Sequence, residues 1–394
     1  MRIKHVAIAG CGIAGLALAA LLTRRGVRVV LYDRLETPQP LGSGLILQPV
    51  GMAVLDALGA GVEMRALGAP ITRLYGRTVP SGRAVLDVRY AALGDGARGL
   101  GVHRGALFQL LHRAALDAGA VIEPKREIAG HEEHAFVFGD GTRSPRFDLI
   151  VDALGARSPL SRRAKAPLPF GALWASLDWA GAFDGAALEQ RYERARKMAG
   201  VMPIGKLSQK GAPMAALFWS VKHGEVAAWR DASLQAWKDE VLALWPDVAP
   251  LLDQISAHEQ LVYAAYAHRT LASPLSGRLA HVGDSWHCTS PQLGQGANMA
   301  LLDALALDHA LAAQDDVAVA LGEYERLRLW HIRLYQAASW MFTPAYQSDS
   351  RALAAFRDYI MAPVSRTWPA PKVLAALVAG RIGAPLSAIA RIAP

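Results

Sequence analysis

Short apolar runs, cut by glycine, proline and charge, divide the 394-residue chain into alternating strands and helices. Val6-Ala7-Ile8-Ala9 meets Gly10-Cys11-Gly12-Ile13-Ala14-Gly15, and an Ala/Leu helical pattern with a basic end follows. A second apolar run over residues 27–32 ends in Asp33. This predicts strand, tight turn, helix, strand. Residues 52–58 suit a helix, and residues 71–88 alternate around Pro80-Ser81-Gly82, the pattern of a hairpin. Leu107, Leu110, Leu111 and Ala114 recur at helical spacing, so Arg104 stands at a helix start. Residues 121–122 and 136–138 read as strands, with Gly139-Asp140-Gly141 as a turn. Residues 147–151 form a buried-strand pattern that runs into Asp152.

The texture changes between residues 167 and 269, where Trp-rich strand-like pieces at 173–179 and 214–221 suggest an inserted unit. Residues 188–198 fit a helix or a strand equally by period. Leu234, Trp237, Val241 and Leu244 share a helical face before Pro246. A strand at 278–282 then leads through Gly283, Asp284 and a glycine-bearing turn into a long helix to residue 313. From residue 323 onward the pattern is helical with several prolines.

With 52% hydrophobic and 19% charged residues, the chain can bury a large core and more than one domain. Two distant cysteines, Cys11 and Cys288, argue against a disulfide framework and for a reducing cytoplasm. Neither cysteine suggests a metal site. The uncharged stretch at residues 6–22 is short for a membrane span and runs into Thr-Arg-Arg-Gly, not a small-residue cleavage site. A formal charge of +8 comes from scattered arginines without an aromatic-basic motif, which favours an anionic small-molecule ligand over nucleic acid.

The first unit carries chemistry. Gly10 permits the tight turn, Gly12 lets backbone amides approach a pyrophosphate, and Gly15 brings helix and strand together. The helix start then offers unpaired N–H groups and a positive dipole end to phosphate. Asp33 follows Gly15 by eighteen residues, at the strand end from which a carboxylate reaches a ribose 2′-hydroxyl. Gly42 and Gly44 would let backbone approach a ligand, or simply loosen a connection. Arg104 opposes its own helix dipole, which points to a nearby anion or to a solvated surface cation. Asp284, at a second strand-turn-helix, reads as an ordinary cap or as the far end of one long dinucleotide site.

These segments together resemble the para-hydroxybenzoate hydroxylase-like (group A) FAD-dependent monooxygenases over nearly the whole chain. GCGIAGLALAALLTRRGVRVVLYDR resembles their ADP-binding unit, GSGLILQP their flavin-side loop, VHRGALFQLL their arginine-bearing helix, and GDSWHCTSPQLGQGANMALLDA their second FAD motif. The resemblance implies an α/β, glutathione-reductase-like Rossmann FAD-binding domain, an inserted β-sheet substrate domain and a helical C-terminal region. Their expected extents are 1–70, 97–165 and 270–320 for the first, 71–96 and 166–269 for the second, and 321–394 for the third. It implies FAD held by Gly10, Gly12, Ile13, Ala14, Gly15, Asp33, Arg34, Gly44 and Arg104. Asp284 would bind the ribityl chain, with Pro291 and Gly294, Gln295, Gly296, Ala297, Asn298 and Met299 against the isoalloxazine. His287 matches a family position and reads as structural.

The implied activity inserts one oxygen atom from O2 into a small aromatic or heteroatom-bearing substrate through a flavin hydroperoxide, with NADPH or NADH as donor. One departure bears on the donor: in the family's middle motif Leu154 stands where Asp is usual, and Ser161 where Arg is expected, with Arg162 and Arg163 just beyond. Asp152 and Arg157 are the available substitutes; the alternative is reduced flavin from a partner reductase. Rival readings are an isoprenoid reductase, a halogenase, for which the chain lacks a Trp-x-Trp-x-Ile-Pro run, and a non-catalytic FAD-binding protein. Tyr263, Tyr266 and His268 lie on an expected pocket strand, as ligands to substrate or as packing, and no catalytic acid or base is named. The C-terminal tail, with Arg351, Arg357, Arg366, Lys372, Arg381 and Arg391 against Asp358, would touch a membrane or, as favoured here, pack with its arginines solvated.

Overall fold

A computed structural model describes residues 3–39, 43–161, 167–383, 385 and 387. Its first layer is a six-stranded sheet in the order Leu275–Ser276, Leu279–His281, Leu149–Asp152, His5–Ala9, Arg28–Tyr32, Val121–Glu123. All neighbours are parallel except the first pair. Val6 to Ala9 are fully buried, as expected of a central parallel strand covered on both faces. The helix Ile13–Arg24 buries every residue from Ala14 to Leu22 between this sheet and the helix Gly296–Ala313, so its Ala/Leu composition is apolar all round.

Register fixes the site. Ala9 pairs with Tyr32 on one side and Asp152 on the other, and Asp152 pairs with His281. Four strands therefore end at one edge, and the residues that follow them, Gly10, Asp33, Ala153 and the Gly283-Asp284 turn, are brought together. Ligands of open parallel sheets bind outside these carboxyl ends.

A seven-stranded sheet runs Val262–Ala264, Phe170–Asp178, Met214–Lys222, Lys197–Pro203, Ala187–Glu193, Arg73–Thr78, Ala84–Arg89. The hairpin expected around Pro80-Ser81-Gly82 is present as its last two strands. The stretch at 188–198, undecided by period, is a second hairpin; Arg194 turns it at φ 55°, and both strands find backbone partners on each side. Tertiary pairing settles what local propensity leaves open. Successive residues point to opposite faces. Leu173, Ala175, Leu217 and Trp219 pack under Trp237, Val241 and Leu244 of the helix Leu234–Leu244, while Trp174 and Phe218 face a cavity.

A small sheet of Gly44–Leu47, Gly99–His103 and Ala69–Ile71 sets Gly44 opposite His103, and the Arg104 amide donates to the Ser43 carbonyl at 2.9 Å. The C-terminal part is helical: Val317–Tyr346, Arg351–Phe356, a π turn at Arg357–Met361, Ala362–Val364 and Ala370–Val378. Contrary to the expectation of solvated arginines, Arg357 is completely buried, its guanidinium carbon 5.0 and 5.4 Å from the Tyr192 and Tyr346 rings. Desolvation is offset there by Asp358, which accepts from Nε at 2.7 Å, and by cation–π attraction. Arg391, Gly42, Arg162 and Arg163 lie outside the described residues. No helix among the described residues is long and apolar enough to cross a membrane.

Candidate active site

One cavity of about 1630 Å³ begins at the four strand ends and runs outward between the seven-stranded sheet and the C-terminal helices. At its inner end Gly10 adopts φ +102°, and a Cβ there would lie 2.7 Å from the Ala153 carbonyl oxygen. A Cβ on Gly15 would sit 2.1 Å from the Gly10 carbonyl, so Gly15 serves helix–strand packing and does not line the cavity. Gly12 differs: a Cβ on it would have only one ordinary protein contact, at 3.8 Å, and would otherwise project into the cavity. Its smallness keeps space for a ligand beside the helix start. Asp33 lines the same space while its two oxygens accept from the Cys11 and Leu35 amides, both at 2.9 Å. Burial and the Asp33 charge push the Cys11 thiol up, so it is an inert neutral group.

Arg104 and Asp284 carry the site's electrostatics. Both side chains are exposed and line the cavity, and neither makes a hydrogen bond or ion pair through its side chain among the described residues. Crowding lowers the Arg104 pKa, opposed by the charge of Asp284, yet a guanidinium stays protonated. Burial raises the Asp284 carboxyl, opposed by His287, Arg104 and Arg269. The Asp284 carboxylate has no donor in the protein among the described residues, and a polyhydroxyl ligand would supply donors to it. A diphosphate would likewise pair with Arg104. The residues present therefore fit a flavin dinucleotide.

The second motif divides into wall and scaffold. Pro291, Gly294, Gly296 and Ala297 line the cavity, as do Ile13, Ala14, Arg34 and Gly44. Gln295, Asn298 and Met299 do not; they are buried behind the wall. Asn298 accepts from the Gln48 amide at 2.7 Å and donates to the Ile46 and Gly294 carbonyls, fastening the Gly44 loop to the helix Gly296–Ala313. Gln295 donates to the Val378 carbonyl at 2.6 Å. His287 is also outside the cavity: Asp303 accepts from His287 Nε2 at 2.6 Å, from the Gly283 amide at 2.8 Å and from Arg328 Nε at 2.7 Å. That buried network holds the turn on which Asp284 stands. Asp152 is fully buried too, accepting from Ser158 Oγ at 2.6 Å and bonded to His281 Nδ1 at 2.8 Å, so Leu154 and Arg157, not Asp152, line the cavity.

Beyond the Gly44 loop the cavity is walled by aromatic and sulfur-bearing side chains. Trp174 and Phe218, cross-strand partners, stack with centroids 4.5 Å apart, and Met198, Met202 and Tyr192 join them. Of the three residues expected on a pocket strand, Tyr266 alone lines the cavity; its hydroxyl accepts from Trp174 Nε1 at 3.1 Å. Tyr263 bonds to His223 Nδ1 at 3.2 Å outside it. Burial raises the Tyr266 and Tyr192 phenols, so both are neutral near pH 7 and neither supplies a base. The aromatic wall was not singled out from sequence, although the odd/even alternation within 173–179 and 214–221 carried the signal.

Comparison with known proteins agrees with this geometry. Residues 4–329 match the family model for the FAD binding domain. A kynurenine 3-monooxygenase of Xanthomonas euvesicatoria pv. vesicatoria is 30% identical over 363 residues, covering 82% of this chain and 75% of the relative. A putative 2-heptyl-3-hydroxy-4(1H)-quinolone synthase of Rhodococcus erythropolis is 27% identical, covering 82% and 83%. Among solved structures, the tetrameric form of 2-methyl-3-hydroxypyridine-5-carboxylic acid oxygenase superposes with a TM-score of 0.78 over 98% of each chain at 21% identity, a likeness of fold. A family match across most of the chain, on a cavity whose unpaired Arg104 and Asp284 suit a diphosphate and a polyol, shows that the chain belongs to the para-hydroxybenzoate hydroxylase-like FAD-dependent monooxygenases.

Proposed function

We propose that this monooxygenase binds FAD with its pyrophosphate at the Gly10–Ala14 turn and Arg104, its adenosine ribose at Asp33 and Arg34, and its ribityl chain at Asp284. The ring system then lies along Gly44, Pro291 and the Gly294–Ala297 turn, with Gln295, Asn298 and Met299 supporting that turn from behind. Residues 1–70, 97–165 and 270–320 form the FAD-binding part, 71–96 and 166–269 the substrate part, and 321–394 a C-terminal region that is helical through most of its described residues. When bound and reduced, FAD supplies the chemistry that activates O2. The chain's own residues orient it and exclude water: Trp174, Phe218, Met198 and Met202 make an apolar wall that holds an aromatic ring by stacking and lacks a competing base. The continuity of one cavity from the Arg104–Asp284 pair to this wall is the observation that carries the reading.

The substrate is then a small aromatic or heteroatom-bearing molecule, and the donor NADH or NADPH. A ring-bearing substrate is in keeping with the names of the kynurenine and quinolone relatives. Leu154 on the cavity wall, with Asp152 engaged elsewhere, favours as a second reading delivery of reduced flavin by a partner reductase. Turnover of a panel of phenols, anilines and hydroxyquinolines under 18O2 tests the proposal. One 18O per product is expected; oxidation without label would overturn it. Running the panel with NAD(P)H alone and with a separate flavin reductase distinguishes the two donors.

A further inference from the structure

The cavity continues past the aromatic wall to an outer section made by the C-terminal helices, where Leu353, Phe356, Val364, Val373 and Leu374 line it. Leu353, Phe356, Ile360 and Val364 recur at intervals of three and four residues through the π turn, and so share one helical face. The opposite face buries Ala354, Arg357 and Ala362. Large apolar side chains have thus been left uncovered on the side that borders the cavity: Phe356 is 47% and Val364 56% exposed. Met361 and Ser365 also line the cavity there, and the Ser365 hydroxyl donates to the Ala362 carbonyl at 2.8 Å. The five side chains named above are hydrocarbon and offer a ligand no hydrogen bond.

We infer that this outer section is a subsite for an aliphatic chain carried by the substrate. The aromatic ring stands at Trp174 and Phe218, and the chain extends towards Phe356 and Val364. The ring's place rests on the monooxygenase reading above; the chain's place rests on the composition and continuity of the cavity. A cavity of about 1630 Å³ also exceeds the roughly 300–1,000 Å³ of a single drug-sized site, as needed for a dinucleotide together with an elongated second molecule. Ile360 supplies an internal control. It lies on the same stripe and is 52% exposed, but it does not line the cavity.

The test uses two probe series on the FAD-loaded protein: n-alkyl 4-hydroxybenzoates from methyl to heptyl, and ring-free n-alkanols of matching length. Binding is read by tryptophan fluorescence, since Trp174 and Trp340 line the cavity. Kd should fall about fourfold per added methylene in both series until the chain outgrows the subsite. Phe356→Asp and Val364→Asp, at positions exposed enough to accept a charge, should flatten that dependence and leave the methyl ester unaffected, whereas Ile360→Asp should leave it intact. A length-independent Kd in both series would overturn the subsite. So would loss of the dependence in Ile360→Asp together with a changed mass by light scattering, which would make the stripe a contact between copies. Because the alkanols need neither a ring nor turnover, absence of oxygenation would count against the monooxygenase reading without altering this result.

Discussion

Asp33 and Asp284 are both acids at strand ends, but they act differently. Asp33 already holds the Cys11 and Leu35 amides, so Asp33→Ala should both loosen the Gly10–Gly12 turn and remove the proposed acceptor for a ribose hydroxyl. The Asp284 carboxylate holds nothing in the protein among the described residues, so its removal bears on the ligand proposed there. Hydrogen bonds to a charged group contribute about 1.5–3 kcal/mol, so Asp284→Ala should weaken FAD about 10- to 100-fold in equilibrium dialysis, with the unfolding midpoint of the apoprotein unchanged or raised. Asp33→Ala should weaken FAD comparably and also lower the apoprotein midpoint. The Asp284 carboxyl is raised by burial, and ligand hydroxyls favour its ionised form. FAD affinity should therefore fall as pH drops through that raised value, beginning above the range where an ordinary aspartate titrates. Asp284→Asn should abolish this acid limb; an identical pH profile in the variant would separate Asp284 from the ligand.

At the scale of elements, the turn bearing Asp284 is held by a buried network in which Asp303 serves the Gly283 amide, His287 and Arg328. Burial opposes ionisation of Asp303, but the charges and hydrogen bonds of His287 and Arg328 outweigh it and lower the pKa. Removing one partner strands the others, so Asp303→Ala should cost about 3–5 kcal/mol in urea unfolding, whereas an exposed pair such as Arg65–Asp56 should cost less than about 1 kcal/mol. His331, bonded to Arg328, has its pKa lowered to about 3 by burial and then by the Arg328 charge. The unfolded chain binds a proton there near pH 6.5 and the folded one does not. Its contribution is thus present above that pH and lost as pH falls towards about 3, with a slope up to about 1.4 kcal/mol per pH unit. His331→Gln should flatten stability across that window in pH-dependent unfolding.

The same scale shows what the sequence made legible. The Gly10 turn, the Arg104 helix start and the Asp284 turn were readable because each is contiguous, with its geometry set by neighbours in the chain. Residues 188–198 were not, because their period suits either element and cross-strand partners decide. Asn298 belongs to the second motif, yet its side chain fastens Gln48 and Ile46, some 250 positions away in sequence, and only the tertiary contact assigns that use.

For the whole molecule, the aromatic wall was the least legible part: Trp174, Tyr192 and Phe218 converge from separate strands, and a one-residue shift in register would turn each away from the cavity. Their convergence on the space that opens at Arg104 and Asp284 puts the proposed cofactor and substrate sites in one volume. The direct measurement is an anaerobic titration of the FAD-loaded protein with NADH and NADPH, followed in the oxidised-flavin absorbance, and then admission of O2. Bleaching by one donor and rapid recovery with O2, releasing hydrogen peroxide when no substrate is present, is the expected result. Persistent oxidised flavin with both donors, despite bleaching by dithionite and with an aromatic substrate added, would contradict direct reduction and leave delivery by a reductase; flavin that stays reduced in O2 would contradict the monooxygenase account itself.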